Sequence, residues 1–229
     1  TNHYNYANIV TTEDFTLKAQ RLRLGGLYGW YYNTTVIGAH NSGNIILSST
    51  AANATNQLYI GGIGGRVSGG SAHYDDMSNS GSIYIDITCT GARCIGGIFA
   101  TQETAGRNIS NTHSTGNITV TSRTAHDGTF VGGIVANPTK TTTITGSSVN
   151  CTVSTPLGTA GMAVGIAYGG VATVTNTSFD GFIQRAGAAE ALDLTDGNFF
   201  DYIYSDAWGG ESDYAGNTGF EFNGGGGID

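Results

Sequence analysis

The sequence predicts an all-β body of stacked coils, about five repeats of roughly 35 residues, with non-repeat strands at both ends. Three observations predict it: a glycine phrase that returns at constant spacing, a turn phrase that keeps step with it, and short Ile/Val runs of strand periodicity. The glycine phrase reads Leu24-Gly25-Gly26-Leu27, Ile60-Gly61-Gly62-Ile63, Ile95-Gly96-Gly97-Ile98 and Val131-Gly132-Gly133-Ile134. Its first glycines lie 36, 35 and 36 residues apart, and Ala163-Val164-Gly165-Ile166 reads as a weaker fifth copy. Around it the chain is apolar on both parities, as in Phe130-Val131-Gly132-Gly133-Ile134-Val135-Ala136, which describes a strand covered on both sides. Glycine weakens such a strand unless backbone approaches closely or the strand bends. A column of glycines at one place in successive coils permits both.

The turn phrase is Asn41-Ser42-Gly43-Asn44-Ile45, then Asn79-Ser80-Gly81-Ser82-Ile83, then Ser114-Thr115-Gly116-Asn117-Ile118. Its glycine follows the second glycine of each pair by 17, 19 and 19 residues, and Gly146-Ser147-Ser148-Val149 is the nearest fourth match. Asn and Gly tolerate positive φ, so this is turn chemistry. Ile83-Tyr84-Ile85-Asp86-Ile87 and Ile118-Thr119-Val120-Thr121 then alternate, giving strands with one buried and one wet face. The best helical stretch, residues 186–192, is interrupted by Gly187 and predicts no helix.

These phrases resemble the GLUG-type and related glycine repeats of large surface proteins and adhesins, over residues 24 to about 183. The resemblance implies a β-solenoid-like body at the cell surface and carries no catalytic residues.

The ends differ from the middle. Residues 1–23, where Phe15, Leu17 and Ala19 alternate with polar residues, are expected to form N-terminal strands that cap a repeat body spanning 24–185. Residues 186–229 hold nine of the 17 acidic residues and no Lys or Arg, together with Phe199, Phe200, Tyr202, Tyr204, Trp208, Tyr214, Phe220 and Phe222. Rings of that size bury 150–250 Å² each, so the segment is expected to pack rather than trail. It ends in a strand-like Phe220-Glu221-Phe222 and the glycines 224–227, an assembly strand on a leash that reaches a neighbouring copy or folds back to cap its own body.

Composition narrows the function. Charged residues make up 11 % of the chain, the formal net charge is −8, and Lys and Arg number nine without a cluster, which argues against nucleic acid as a partner. The polar surface must come from Ser, Thr, Asn and Gly, which suits glycans or other protein copies. No apolar run approaches the ~18 residues of a membrane-spanning helix. The chain opens at Thr1 without a leader and reads as a mature form or a fragment. Cys89 and Cys94 flank a four-residue turn and are expected to form a disulfide, leaving Cys151 as a buried thiol; oxidised cysteine implies an extracellular compartment. Sequons begin at Asn33, Asn53, Asn108, Asn117, Asn150 and Asn176 and permit glycosylation.

Catalytic signals are weak. Asp75-Asp76, Asp193 with Asp196, and Asp201 with Asp206 are the available carboxylate pairs, but turns use Asp for its local hydrogen bonds. His40 and His113 occupy equivalent places two coils apart, too distant to share a metal. No catalytic residue, metal site or cofactor is therefore expected. The reading that follows is an extracellular structural or adhesive protein that self-associates head-to-tail into a filament or surface layer. The alternatives are a glycan-binding module, with Tyr28, Trp30, Tyr31 and Tyr32 as its aromatic row, and a polysaccharide-active β-helix enzyme.

Overall fold

Each residue of a Gly-Gly strand lies beside its counterpart in the next repeat. In the computed structural model, which describes residues 2–11, 20–51, 57–70, 73–125, 128–165, 172–185, 188–189 and 221–222, Gly25 pairs with Gly61, Gly61 with Gly96, Gly96 with Gly132 and Gly132 with Gly161. These glycines close the strands Leu22–Gly25, Leu58–Gly61, Arg93–Gly96, Thr129–Gly132 and Thr159–Gly161, which make a parallel five-stranded sheet. The next strands of each coil, Tyr28–Tyr32, Gly64–Ser68, Phe99–Gln102 and Val135–Pro138, make a parallel second sheet. A third sheet stacks His3–Asn5, Val36–Asn41, Tyr74–Asn79, Arg107–Ser114, the pair Thr142–Thr145 and Ser148–Val149, the pair Ala172–Thr175 and Ser178–Phe179, and Glu221–Phe222. A fourth stacks Ile9–Val10, Ile45–Ser48, Ile83–Asp86, Ile118–Val120, Thr152–Ser154 and Phe182–Arg185, with Ala188–Ala189 antiparallel at its end. The chain visits the four sheets in order, so residues 22–154 wind four complete turns of a β-solenoid, and no helix occurs among the described residues.

Both glycines of each pair are sterically required. A Cβ on Gly26, Gly62, Gly97 or Gly133 would lie 2.0–2.3 Å from a carbonyl oxygen of the next coil, that of Gly62, Gly97, Gly133 and Met162 respectively. A Cβ on Gly25, Gly61, Gly96 or Gly132 would lie 1.9–2.3 Å from the carbonyl of the residue three positions later. The first approach sets the spacing between coils and the second sets the sharp corner within one.

The interior is a set of ladders, because parallel in-register pairing puts like positions on top of each other. Ile9, Ile45, Ile83, Ile118, Val153 and Ile183 form one continuous column in the fourth sheet. Each fully buried rung contributes about 1.5–3 kcal/mol of apolar burial. A polar column runs beside it. Asn5 donates to Asn41 Oδ1 and Asn41 to Asn79 Oδ1, both at 2.7 Å, while the same amides bond Ala7, Gly43 and Gly81 two residues ahead. Ser114, Val149 and Phe179 continue this column, so it passes from polar to apolar along the axis.

A second backbone constraint was not visible in the repeat phrases. Gly38, Asp76, Asn111, Gly146 and Asn176 stand in register in the third sheet, and all have left-handed backbones with φ between 47° and 67°. A β-carbon costs roughly 1–2 kcal/mol there, and Gly, Asn and Asp are the residues that bear it best.

Two sequence expectations change. The fifth glycine is Gly161 rather than Gly165, and Met162 takes the place of the second glycine. Register explains the slip: 35 residues separate Ile118 from Val153, but only 29 separate Gly132 from Gly161, because the loop between those coils is six residues shorter. The body also begins well before residue 24. His3–Asn5 and Ile9–Val10 are half a coil, and Asn5-Tyr6-Ala7-Asn8-Ile9 repeats the phrase of residues 41–45 at a spacing of 36. The expected alternation at Phe15, Leu17 and Ala19 lies outside the described residues.

Two stability outcomes follow from these columns. Gly97→Ala places a methyl group into fixed backbone and should destabilise by about 3 kcal/mol or more, measured by urea unfolding. At the exposed left-handed Asp76, Asp76→Gly should be neutral or slightly stabilising, whereas Asp76→Val should cost about 2 kcal/mol. Equal effects of Gly and Val at that position would show that the left-handed column is not a constraint.

Candidate functional surface

Outward side chains of this solenoid are mostly Ser, Thr and Asn, so the places where large rings or charges emerge stand out. The first is at the N-terminal end of the third sheet. Tyr4 and Tyr6 are 52 % and 74 % exposed, their ring planes lie within 4° of each other, and their centroids are 6.1 Å apart. Tyr4 also stacks on His40 at 5.0 Å. His40 Nδ1 meets Ser78 Oγ at 2.9 Å, which fixes the imidazole. Together with Ser42 and Ser80 these residues line a groove of about 310 Å³.

The second place is the outer face of the second sheet. Trp30 lies beneath two guanidinium groups, Arg23 at 5.1 Å and Arg66 at 5.0 Å, and its indole N–H donates to Ser68 Oγ. Arg66 is ion-paired with Glu103, and Tyr32 packs edge-on to Trp30. The sequence-predicted row of Tyr28, Trp30, Tyr31 and Tyr32 is therefore broken. Trp30 and Tyr32 are exposed, but Tyr31 is buried in the main core and Tyr28 packs against it. A separate cavity of about 480 Å³ lies under this first coil between His3, Tyr28, Tyr31 and residues 34–37.

The disulfide expected between Cys89 and Cys94 is not formed; all three cysteines are free and buried. The reason is parity. Cys89 faces the main core, whereas Cys94 belongs to a separate small cluster with Ala100 and Ala136, packed against Tyr59 and Phe130. The loop is closed instead by Arg93, a residue the sequence reading passed over. Arg93 occupies the inward column between Leu58 and Thr129, is 2 % exposed, and donates to the carbonyls of Cys89 and Gly91. Burial lowers its pKa. Its signal was legible in register, since a cation there replaces a Leu 35 residues earlier.

The remaining predicted residues are scattered over the surface. Asn33, Asn108, Asn117, Asn150 and Asn176 are all exposed, and Asn53 lies outside the described residues. Asp75 accepts hydrogen bonds from Ser110 Oγ at 2.7 Å and Asn111 Nδ2 at 2.9 Å, and the Ser110 bond holds its carboxyl below the usual range. Its neighbour Asp76 is exposed and is a rung of the left-handed column. Asp193, Asp196, Asp201 and Asp206 lie outside the described residues. His40 and His113 are separated by the Ser78 rung, as expected, and His113 bonds Ser148 Oγ at 2.8 Å. Phe220 lies outside the described residues, while Glu221–Phe222 pairs in parallel with Ser178–Phe179 of its own body.

The class of protein is thus a parallel β-solenoid repeat protein. No family model, curated protein or solved structure matches the chain.

Burial pushes the thiols of Cys94 and Cys151 up to about 12. The neutral thiol is the favoured form in the fold, so thiolate is scarce until the pH nears 12. Iodoacetamide should leave both unmodified in the native protein at pH 9 and modify all three cysteines in denaturant without reductant. A mass two units short of three free thiols would restore the disulfide.

Proposed function

We propose that this chain is an extracellular structural or adhesive protein whose coils continue from copy to copy, building a filament or surface layer. The observation that carries the reading is the end of the stack. Among the described residues, Leu22–Gly25, Tyr28–Tyr32, His3–Asn5 and Ile9–Val10 are the terminal strands of their sheets, with one edge each left without a strand. Parallel edges of this kind are templates for a further strand, and their register is already set by the glycine and Asn columns.

The contact is head-to-tail, so it propagates instead of closing. The pairing of Glu221–Phe222 with Ser178–Phe179 supports the fold-back arrangement of the C-terminal segment. In the filament this strand acts as a last rung on which a neighbour's first half-coil stacks, rather than as an arm reaching across. The non-catalytic part of the reading is supported by Asp75, whose carboxylate is engaged by Ser110 and Asn111. The extracellular part is supported by the exposure of the five described sequon asparagines.

The full chain should form filaments in negative stain and sediment as species that lengthen with concentration. Deleting residues 216–229 should remove the last rung and stop growth. A full chain that stays monomeric at all concentrations, with only the deleted form aggregating, would make the segment a cap and overturn the filament.

A further inference from the structure

We propose that the groove beside Tyr4 and Tyr6 binds neutral carbohydrate. The proposal gives the adhesive part of the function above a ligand class, and it does not depend on filament growth.

Register sets these two rings apart from the rest of the molecule. Tyr4 stands over His40, Ser78, His113 and Ser148, in a column where it is the only carbocyclic ring among the described residues. Tyr6 stands one residue beyond the paired Asn5 and Asn41, where the next coils carry Ser42 and Ser80. Neither ring serves the core, since both are more than half exposed. Two parallel, wet aromatic faces two residues apart leave apolar area uncovered beside the hydroxyls of Ser42, Ser78 and Ser80. A sugar ring matches that combination: its C–H face covers an aromatic ring, and its rim of hydroxyls needs small polar partners.

The groove supplies those partners. Ser42, Ser78 and Ser80 line it, and His40, held by Ser78 through Nδ1, keeps its other ring nitrogen for a ligand hydroxyl. The volume of about 310 Å³ is at the small end of ligand sites, which run to roughly 1,000 Å³. No Lys, Arg, Asp or Glu lines it, so a sulfated, phosphorylated or uronic ligand finds no counter-charge. Trp30 is a poorer platform, because Arg23 and Arg66 already lie against its ring and Ser68 takes its N–H.

Saturation-transfer NMR with cellotetraose, chitotetraose, mannotetraose and lactose as neutral probes, and trigalacturonate as a charged one, tests the site. At least one neutral probe should bind wild-type protein and lose affinity by roughly tenfold or more in Tyr6→Ala. Tyr6→Phe should retain binding, because the ring face remains, and Tyr84→Ala, at an exposed tyrosine elsewhere, should leave it unchanged. Binding to none of the neutral probes, binding to trigalacturonate alone, or binding that survives Tyr6→Ala would each overturn the proposal. Sedimentation of the same variants separates the two readings. Assembly lost in Tyr6→Ala, with no sugar bound by wild type, would make the rings a contact between copies, whereas sugar binding by a strictly monomeric protein would sustain this site and remove the filament.

Discussion

The carbonyl of one coil sits where a side chain of the next would begin, and the whole stack depends on that approach. At Gly26, Gly62, Gly97 and Gly133 a β-carbon would be 2.0–2.3 Å from the oxygen of the following rung. Only glycine allows parallel corners to nest this closely. Once they nest, the four sheets follow in register, and the paired positions from residue 3 to residue 185 stand on counterparts 29 to 38 residues away.

That obligation explains the composition of the interior. Ile stacks on Ile because a column of identical branched side chains fills identical gaps at each rung. Asn stacks on Asn because its amide can donate to the next oxygen while bonding the turn two residues ahead, so a buried polar group is satisfied at every level. Gly, Asp and Asn share the left-handed column because a β-branched residue would bring strain to that rung. The columns also show where the pattern is broken. Arg93 interrupts an inward column between Leu58 and Thr129, and its charge is answered by backbone carbonyls that tie down the 89–93 turn. Tyr4 and Tyr6 interrupt outward columns of Ser and His; Tyr4 stacks on His40 and accepts a hydrogen bond from Asn2 on its hydroxyl, and both rings stay more than half exposed. A break tied to backbone within the chain, as Arg93 is through its two terminal nitrogens, is architecture. One that leaves rings in water is the better place to look for a ligand.

Such a surface suits contact with hydroxyl-rich partners better than contact with polyanions. Charge is sparse along the repeat body, and the two described ion pairs, Arg66 with Glu103 and Arg123 with Asp86, are spent within the chain. In the proposed carbohydrate site, recognition falls to shape, stacking and small dipoles. In the proposed filament, extension along the axis falls to backbone edges whose geometry the repeat has already standardised.

The constant glycine spacing and the alternating Ile/Val runs determined the all-β stacked architecture, because close approach and period-two burial leave direct marks on residue type. The turn phrase contains the Asn column but predicts only positive-φ turns, whereas Asn41 and Asn79 serve as a side-chain ladder, and Ala7 in place of glycine hid its first copy at residues 5–9. Three things had to wait for the tertiary structure. Whether Cys89 meets Cys94 depended on which side of a strand each faces, and a four-residue spacing is silent about parity. The fifth coil carries its glycine at Gly161 because a loop shortened by six residues moved the register, and a period counted in sequence cannot see that shift. The pairing of Tyr4 and Tyr6 beside His40 and Ser78 joined residues more than 30 positions apart, which only the winding of the chain brings to one groove.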